Sequence, residues 1–488
     1  MRSLHLSPVV LLLLAACQAV PPGAVEAVDA SSTVVPAEGW TSAADASDSD
    51  TASDDWLAGA WWREFGSEEL TALVEQGLAG SPDLAAAASS VEAAAASLAA
   101  ARGADLPQVQ AGLNLARART NFIGLPIPGS SGVVSNTNNN HSVNLNISWE
   151  LDLWGRMASA ERGAVADLEA SSLDLIAARQ SLAAQILRGA LALVDAELNA
   201  RFAADQLDNY RAQLANTKRV FELGTGAPEA LLSARAQVTS AEADVKEARR
   251  LVALLETPLA ILIGRAPGRN AGFDTEALVA SLAGDLPGAP PVGLPAELLA
   301  RRPDLAALEA RARAAQAQAE VARANLYPQL SLTSSVGTSG SELENLLDGD
   351  FRVWSLGGNL LAPLFMGGRL EAAEDAAIAG RDAALYAFAS RALVAFGEVD
   401  SALTNERRML ERVVDLEAHR DQLQELEELT ARKHTRGSTP AEARYIARAR
   451  SLTSARILEV TRIQLLSNRV DLYLALGGGF DSSPPTQE

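Results

Sequence analysis

Ser142-Val143-Asn144-Leu145-Asn146-Ile147-Ser148-Trp149-Glu150-Leu151-Asp152-Leu153 alternates polar and apolar residues without a break. Successive side chains of a strand point to opposite faces, so Val143, Leu145, Ile147, Trp149, Leu151 and Leu153 share one face and Asn144, Asn146, Ser148, Glu150 and Asp152 the other. In water such a sheet turns its apolar face to a core; in a membrane barrel that face meets lipid and the polar face meets a water-filled lumen. Alternation alone does not separate the two, but length favours the barrel. A tilted membrane strand needs about 9 to 11 residues, and the four candidates, about 109–120, 142–153, 329–340 and 352–365, all reach that. The polar stretch from Gly124 to Asn140 reads as a long loop outside the membrane, and Ser341 to Asp350 as its shorter, acidic counterpart. Within the latter, Asp348-Gly349-Asp350 reads as a hairpin turn rather than a calcium-binding fragment.

Working outward, the chain is an internal duplication. Pro82-Asp83-Leu84 recurs as Pro303-Asp304-Leu305 and Leu106-Pro107-Gln108 as Tyr327-Pro328-Gln329, at a constant offset of 221 residues (303 against 82, 328 against 107). Farther on, Trp154-Gly155-Arg156 matches Gly367-Gly368-Arg369, Gly224 matches Gly437, and Leu262-Ile263-Gly264 matches Ala475-Leu476-Gly477, at an offset of 213 (368 against 155, 437 against 224, 477 against 264). Each copy runs helix, two strands, very long helix, sharp turn, long helix. The first repeat is 56–264, with helices about 157–222 and 228–262; the second is 301–478, with helices about 370–434 and 440–474. A Gly- and Pro-rich connector, 265–300, joins them, and 479–488 is a tail.

Four strands cannot close a barrel, and an open sheet edge in lipid leaves backbone groups unpaired at several kcal/mol each. Small bacterial barrels begin at about eight strands, so three chains giving twelve enclose a lumen where two barely do. The helices point the same way. Leu231, Val238, Val245, Val252 and Leu259 lie seven apart, with Ala234, Ala241, Ala248, Leu255 and Leu262 three residues after each, an a/d seam along the whole segment. The preceding helix offers Leu207, Tyr210, Leu214, Thr217 and Phe221, and the second copy a weaker seam through Ile446, Val460, Ile463, Val470 and Leu474. A proline-free run from 157 to 222 is on the order of 100 Å long as one helix, the scale of a periplasm. A cytosolic coiled-coil scaffold is the alternative, opposed by the strands and by the start of the chain.

That start, residues 1–16, carries Arg2 and no acid ahead of an apolar run from Val9 to Ala16, the pattern of an export signal. The run is too short to span a membrane, and no second run of transmembrane length is seen. Leu14-Ala15-Ala16-Cys17 resembles the lipobox of bacterial lipoproteins, which implies acylation of Cys17 after cleavage; Gln18 beside it agrees with outer membrane delivery in such families. An ordinary export signal that happens to hold a cysteine is the competing reading. Cys17 is the only cysteine, so the exported chain has no internal disulfide. Residues 17–55 are Ala, Ser, Thr, Asp, Pro and Gly with little large apolar content, the composition of a disordered tether. A formal net charge of −20 argues against nucleic acid as a partner.

Gly293-Leu294-Pro295-Ala296-Glu297-Leu298-Leu299-Ala300-Arg301-Arg302-Pro303-Asp304-Leu305, continuing through Ala324-Asn325-Leu326-Tyr327-Pro328-Gln329-Leu330-Ser331-Leu332, resembles the signature of the outer membrane efflux proteins, the TolC-like trimeric channels, in their lipoprotein branch of drug-efflux subunits. Trp61-Trp62-Arg63-Glu64-Phe65, the Trp149 to Arg156 stretch and Leu223-Gly224 add to it, and the resemblance covers about 56 to 478. It implies an α+β membrane protein: a homotrimer whose strands form one transmembrane β-barrel in outer membrane lipid and whose helices form a long antiparallel α-helical barrel, a periplasmic tunnel. It also implies a periplasmic adaptor protein and an inner membrane efflux pump as partners, a passive role in exporting drugs or other small molecules, and no cofactor or metal. In the family, opening is attributed to untwisting of inner helix pairs at the periplasmic tip, where carboxylates narrow the pore. Here Ala443 and Ile446 stand where related sequences usually carry aspartates, so Glu229 and Glu442, one at each helical turn, are the aperture candidates. Three copies of a carboxylate around a narrow pore favour cations; equally, both are first-turn glutamates suited to the helix dipole after Pro228 and Pro440.

No enzyme motif is present: there is no phosphate-binding Gly-Lys loop and no nucleophile elbow, and His5, His141, His419 and His434 lack ligand spacing. Two rival readings stand, an exit duct for type I protein secretion and a non-conducting structural envelope lipoprotein.

Overall fold

The computed structural model describes residues 60–122, 134–266, 275–282 and 301–478. Cys17, the signal, the tether, the C-terminal tail and most of the connector lie outside them. The elements run α1(Glu68–Gly80), α2(Pro82–Ala104), β1(Gln108–Phe122), β2(Val134–Leu151), α3(Arg156–Glu222), α4(Pro228–Leu262), α5(Thr275–Ser281), α6(Pro303–Ala324), β3(Gln329–Gly340), β4(Arg352–Leu361), α7(Arg369–Thr435) and α8(Ala441–Ala475).

Two compact units divide the chain. One takes Val91–Ser171 and Leu308–Phe388 and holds the sheet with the helix segments that flank it. Its four strands lie in the order β1-β2-β3-β4, every pair antiparallel, with both edges unpaired in the single chain. β2 begins at Val134, well inside the stretch read as a loop from the sequence: Asn136 to Asn140 pair with Thr120 to Ala116. A β-ladder satisfies its backbone whatever the side chains are, so a run of asparagines at the watery end of a hairpin carries no apolar signal and yet is strand. β4 stops at Leu361, short of the expected 365, where Pro363 cannot donate to a ladder. Asp348-Gly349-Asp350 is a turn, with the Asp348 carboxylate accepting from the Asp350 backbone N–H at 3.0 Å. Arg102 to Glu161 (2.8 Å) and Arg313 to Glu169 (2.7 Å) tie α2 and α6 to the first turns of α3.

The other unit holds residues 60–90, the remainder of the long helices and α5. Its core joins both repeats: Ile186, Leu187, Ala190, Leu193 and Val194 of α3 pack with Leu259 of α4 and with Ile463, Leu466, Val470 and Tyr473 of α8. The indole of Trp61 is fully buried there, donates to Gln180 Oε1 at 2.6 Å and stacks on Tyr473 at 5.2 Å. Burial, with the Glu64 charge, pushes the Tyr473 hydroxyl up to about 12. The connector is more than Gly and Pro, since α5 sinks Leu278 and Val279 into this core.

The seam of α4 is buried or half-buried from Leu231 to Leu262, and Leu207, Ala241 and Val245 form its contact with α3. The α8 seam differs from the one read in the sequence. Ile446 is exposed, and Ile463 and Val470 face the two-repeat core. The face toward α7 is Ala447, Ser454, Leu458, Thr461, Leu465, Asn468, Leu472 and Ala475, also heptad-spaced, with Leu458 and Leu465 packing on Val413. Polar Ser454, Thr461 and Asn468 hide this seam from a search for apolar residues. Among the described residues one helix, α2, is long and apolar enough to cross a membrane by length and composition, with a mean hydropathy of 1.4, which differs from the expectation of no second such run. Its apolarity is almost wholly alanine, whose methyl group partitions weakly.

Candidate functional site

The register sorts the sheet into two chemically distinct faces. On one, Gln108, Ser148, Thr333 and Gly357 lie in a row across the four strands; the next rows are Gln110, Asn146, Ser335 and Ser355, then Gly112, Asn144, Gly337 and Val353. These rows are amide, hydroxyl and glycine except for Val353. The face's one charge in the paired region, Glu150, is neutralised by Arg156, whose Nη2 and Nε donate to Oε1 at 2.8 and 3.2 Å. On the opposite face Val109, Leu113, Leu115, Val143, Leu145, Trp149, Val336, Trp354, Leu356 and Leu360 are all exposed. From Val143 to Leu151 that band is about 27 Å along the strand, or about 21 Å in height at a tilt near 40°, close to the apolar belt of a bacterial barrel. At the helix-proximal end the Trp149 indole donates to the Asp105 carbonyl (2.9 Å) and the Trp154 indole to that of Pro328 (2.6 Å), with Trp154 stacked on Tyr327 at 5.1 Å. Such amphipathic rings belong at a membrane–water interface.

Both long hairpins turn in the same way. Gly224 (φ 76°) and Gly437 (φ 72°) follow α3 and α7. Thr225 N–H donates to the Val220 carbonyl, as does Ser438 N–H to that of Lys433, and these are repeat mates. The left-handed residue after each helix is what a C-terminal cap needs. Glu229 and Glu442 occupy equivalent first-turn positions in α4 and α8, and both are exposed. Glu442 stands at the rim of a cavity of about 710 Å³ whose wall includes Asn209, Tyr210, His419, Tyr445 and Ser454. There Asn209 Nδ2 donates to the Tyr445 carbonyl (3.0 Å), and the Ser454 hydroxyl and His419 Nδ1 are 3.0 Å apart. His434 contacts the Thr439 carbonyl in the second turn, and His141 lies on β2, so the three described histidines serve separate places.

A feature that the sequence reading used only as signature is the lock around Arg302. Its side chain is buried; Nε and Nη2 donate to the Asp304 carboxylate (3.0 and 2.8 Å), and Nη1 donates to Glu398 (2.6 Å) and to the Ala475 carbonyl (3.2 Å). Arg391 closes the ring through Asp304 (2.9 Å) and Glu398 (2.7 Å). Desolvation is the largest influence on both carboxyls and would raise them, but the two guanidinium groups outweigh it and hold Asp304 and Glu398 below their ordinary values.

An open four-stranded sheet with one lipid-suited face, in a chain that also forms two coiled-coil hairpins, defines a protomer of an outer membrane channel that closes only as an oligomer. The family model described as "Outer membrane efflux protein" matches residues 73–265 and 294–478, and the chain belongs to that family. It is 32% identical to the pyoverdine export outer membrane protein OpmQ of Pseudomonas putida, over 100% of this chain and 99% of the relative. With the toluene efflux pump outer membrane protein TtgF, also of Pseudomonas putida, it shares 29% identity over 86% of each. Among solved structures, the outer-membrane channel OprN superposes with a TM-score of 0.77 at 27% identity, covering 91% of this chain and 99% of that one. The protein is therefore an outer membrane subunit of a tripartite efflux system. It reaches into the periplasm, forms a homotrimer and pairs with an adaptor and an inner membrane pump.

Proposed function

We propose that the trimer is a passive duct for chemically diverse organic small molecules, without enzymatic activity of its own, and that cargo is chosen by the pump rather than in the barrel. The observation that carries this is the polar sheet face: its rows are amide, hydroxyl and glycine apart from Val353, and the single carboxylate in its paired region, Glu150, is already paired to Arg156. A barrel wall whose paired rows have no net charge neither concentrates nor repels ionic cargo there. The relatives' names, one for a siderophore and one for an aromatic hydrocarbon, fit a duct of this kind. Deleting the protein from its native cell should raise intracellular accumulation of several unrelated dyes and antibiotics; unchanged accumulation across such a panel, or purified trimers that never conduct in planar bilayers, contradicts the duct.

Charge selection is assigned to the helix tips, where Glu229 and Glu442 repeat threefold in a trimer. With Glu229→Gln and Glu442→Gln combined, the cation preference of single channels should fall toward parity. No change would leave both as solvated first-turn glutamates that suit the helix dipole. Acylation of Cys17 supplements the barrel as an anchor and sorting mark.

A further inference from the structure

We propose that the outer rim of the lipid-facing sheet surface binds phosphate-bearing lipid of the outer leaflet through Arg117, Arg119 and Arg352. The proposal rests on the membrane reading of the sheet. By register, Arg117 and Arg119 of β1 lie opposite Asn139 and Thr137, on the same face as Leu113 and Leu115, and Arg352 of β4 lies opposite Thr338, on the face of Val143 and Trp354. All three are exposed. They stand where the apolar band ends toward the hairpin tips: Arg352 is level with Val143, the last apolar residue of β2 on this face in that direction, and Arg117 and Arg119 lie farther out.

Among the described arginines of this unit, only Arg369, at the start of α7, shares their lack of an acidic partner. In the same unit Arg102, Arg156, Arg162, Arg313 and Arg323 each meet a carboxylate. Among the described residues no acid pairs with the three rim arginines, and Arg119 is held only by a 2.9 Å hydrogen bond to the Ser135 hydroxyl. The acids of the β3–β4 tip, Glu342, Glu344, Asp348 and Asp350, form no ion pair with Arg352. A guanidinium on a lipid-facing surface is costly within the hydrocarbon and well placed at its edge, where a planar five-donor fork matches phosphate oxygens. On a chain with a net charge of −20 such a cluster is local and is not a reflection of composition.

Topology joins the three. β1 and β4 are the two edges of the sheet, so closing a twelve-stranded barrel from three chains sets β4 of each copy beside β1 of the next. Arg352 then approaches the strand that carries Arg117 and Arg119 in the neighbouring copy, on one outward face, giving three equivalent sites at the protomer seams. A lipid phosphate held there bridges two copies.

The test uses full-length trimers in mild detergent, with bisphosphorylated lipid A as the probe and native mass spectrometry as the readout. Up to three lipid A molecules should be retained per trimer. Arg117→Gln, Arg119→Gln and Arg352→Gln together should weaken retention on the order of tenfold, while lysine at the three positions keeps most of it. Equal retention by the glutamine variant, equal binding of dephosphorylated lipid A, or full displacement by excess inorganic phosphate would each overturn the lipid site. Single-channel conductance of both proteins is recorded in parallel. Conducting trimers without arginine-dependent binding sink only this proposal, whereas failure of the wild type to insert sinks the membrane reading beneath it.

Discussion

At the scale of single residues the two repeats meet in one recurring contact. Gly264 and Gly477 have positive φ (76° and 100°), and a Cβ on either would overlap a backbone carbonyl, that of Gly80 in the first copy and of Arg301 in the second. These pairs are themselves repeat mates, so each copy closes its last helix against the residue two places before its Pro-Asp-Leu helix start. Gly437 also has positive φ, but a Cβ there meets nothing within 4 Å. Gly437→Ala should therefore cost about 1 to 2 kcal/mol, the strain of a left-handed alanine, and Gly477→Ala visibly more, read as the drop in trimer melting temperature. Equal costs would mean that the close approach is unimportant. Cys17→Ser should abolish palmitate labelling and impair delivery, while trimers that still insert keep their single-channel conductance. Loss of conductance in properly inserted trimers would rank anchor above barrel.

At the scale of elements the duplication has diverged in the way its hairpins are held. The α4 seam is apolar, whereas the α8 seam encloses Glu406 of α7 with Arg469 (2.8 Å) and Asn468 (3.2 Å), both charged side chains being buried. At the 213-residue offset, Glu406 falls on Leu193, which is fully buried. Removing one partner of a buried pair leaves an uncompensated charge, so Glu406→Ala should cost about 3 to 5 kcal/mol, and replacing Glu406 and Arg469 together by Leu and Met close to nothing. A mild single variant would show that water reaches the seam. The Arg302 lock adds a pH dependence. Asp304 and Glu398 have lowered pKa values, so their stabilisation is full above the ordinary carboxylate range, near 3.8 to 4.5, and is lost as pH falls through the lowered values. Arg302→Met should move the acid-unfolding midpoint to higher pH; an unchanged midpoint would place acid sensitivity elsewhere. The α8 seam itself was within reach of the sequence. Adding the repeat offset to Ala234, Ala241, Val245, Ala248, Val252, Leu255, Leu259 and Leu262 gives Ala447, Ser454, Leu458, Thr461, Leu465, Asn468, Leu472 and Ala475, but a reading guided by apolar residues alone prefers Ile463 and Val470, which serve another core.

At the scale of the whole molecule, function rests on which sheet face meets lipid and which meets water in the trimer. Asn146→Asp adds a ring of three carboxylates to the polar face and should raise the cation preference of single channels severalfold while trimers still insert. Leu145→Arg, one residue away on the apolar face, should impair insertion, at about 2 to 4 kcal/mol per chain near the bilayer midplane. The opposite pattern would reverse the two faces. The period-2 alternation of residues 142–153, the repeat offsets and the a/d spacing of α4 are local or periodic, so fold class and the need for oligomeric closure are legible from the residues alone, and the signature around Arg302 adds the family. That the asparagine run of β2 is strand, that α8 buries two faces, and that Arg302, Asp304, Arg391 and Glu398 form one ring emerges in the folded chain. Each of these depends on partners from 16 to hundreds of residues away, and a hydrogen-bonded polar group carries no hydropathy signal to announce that it is buried.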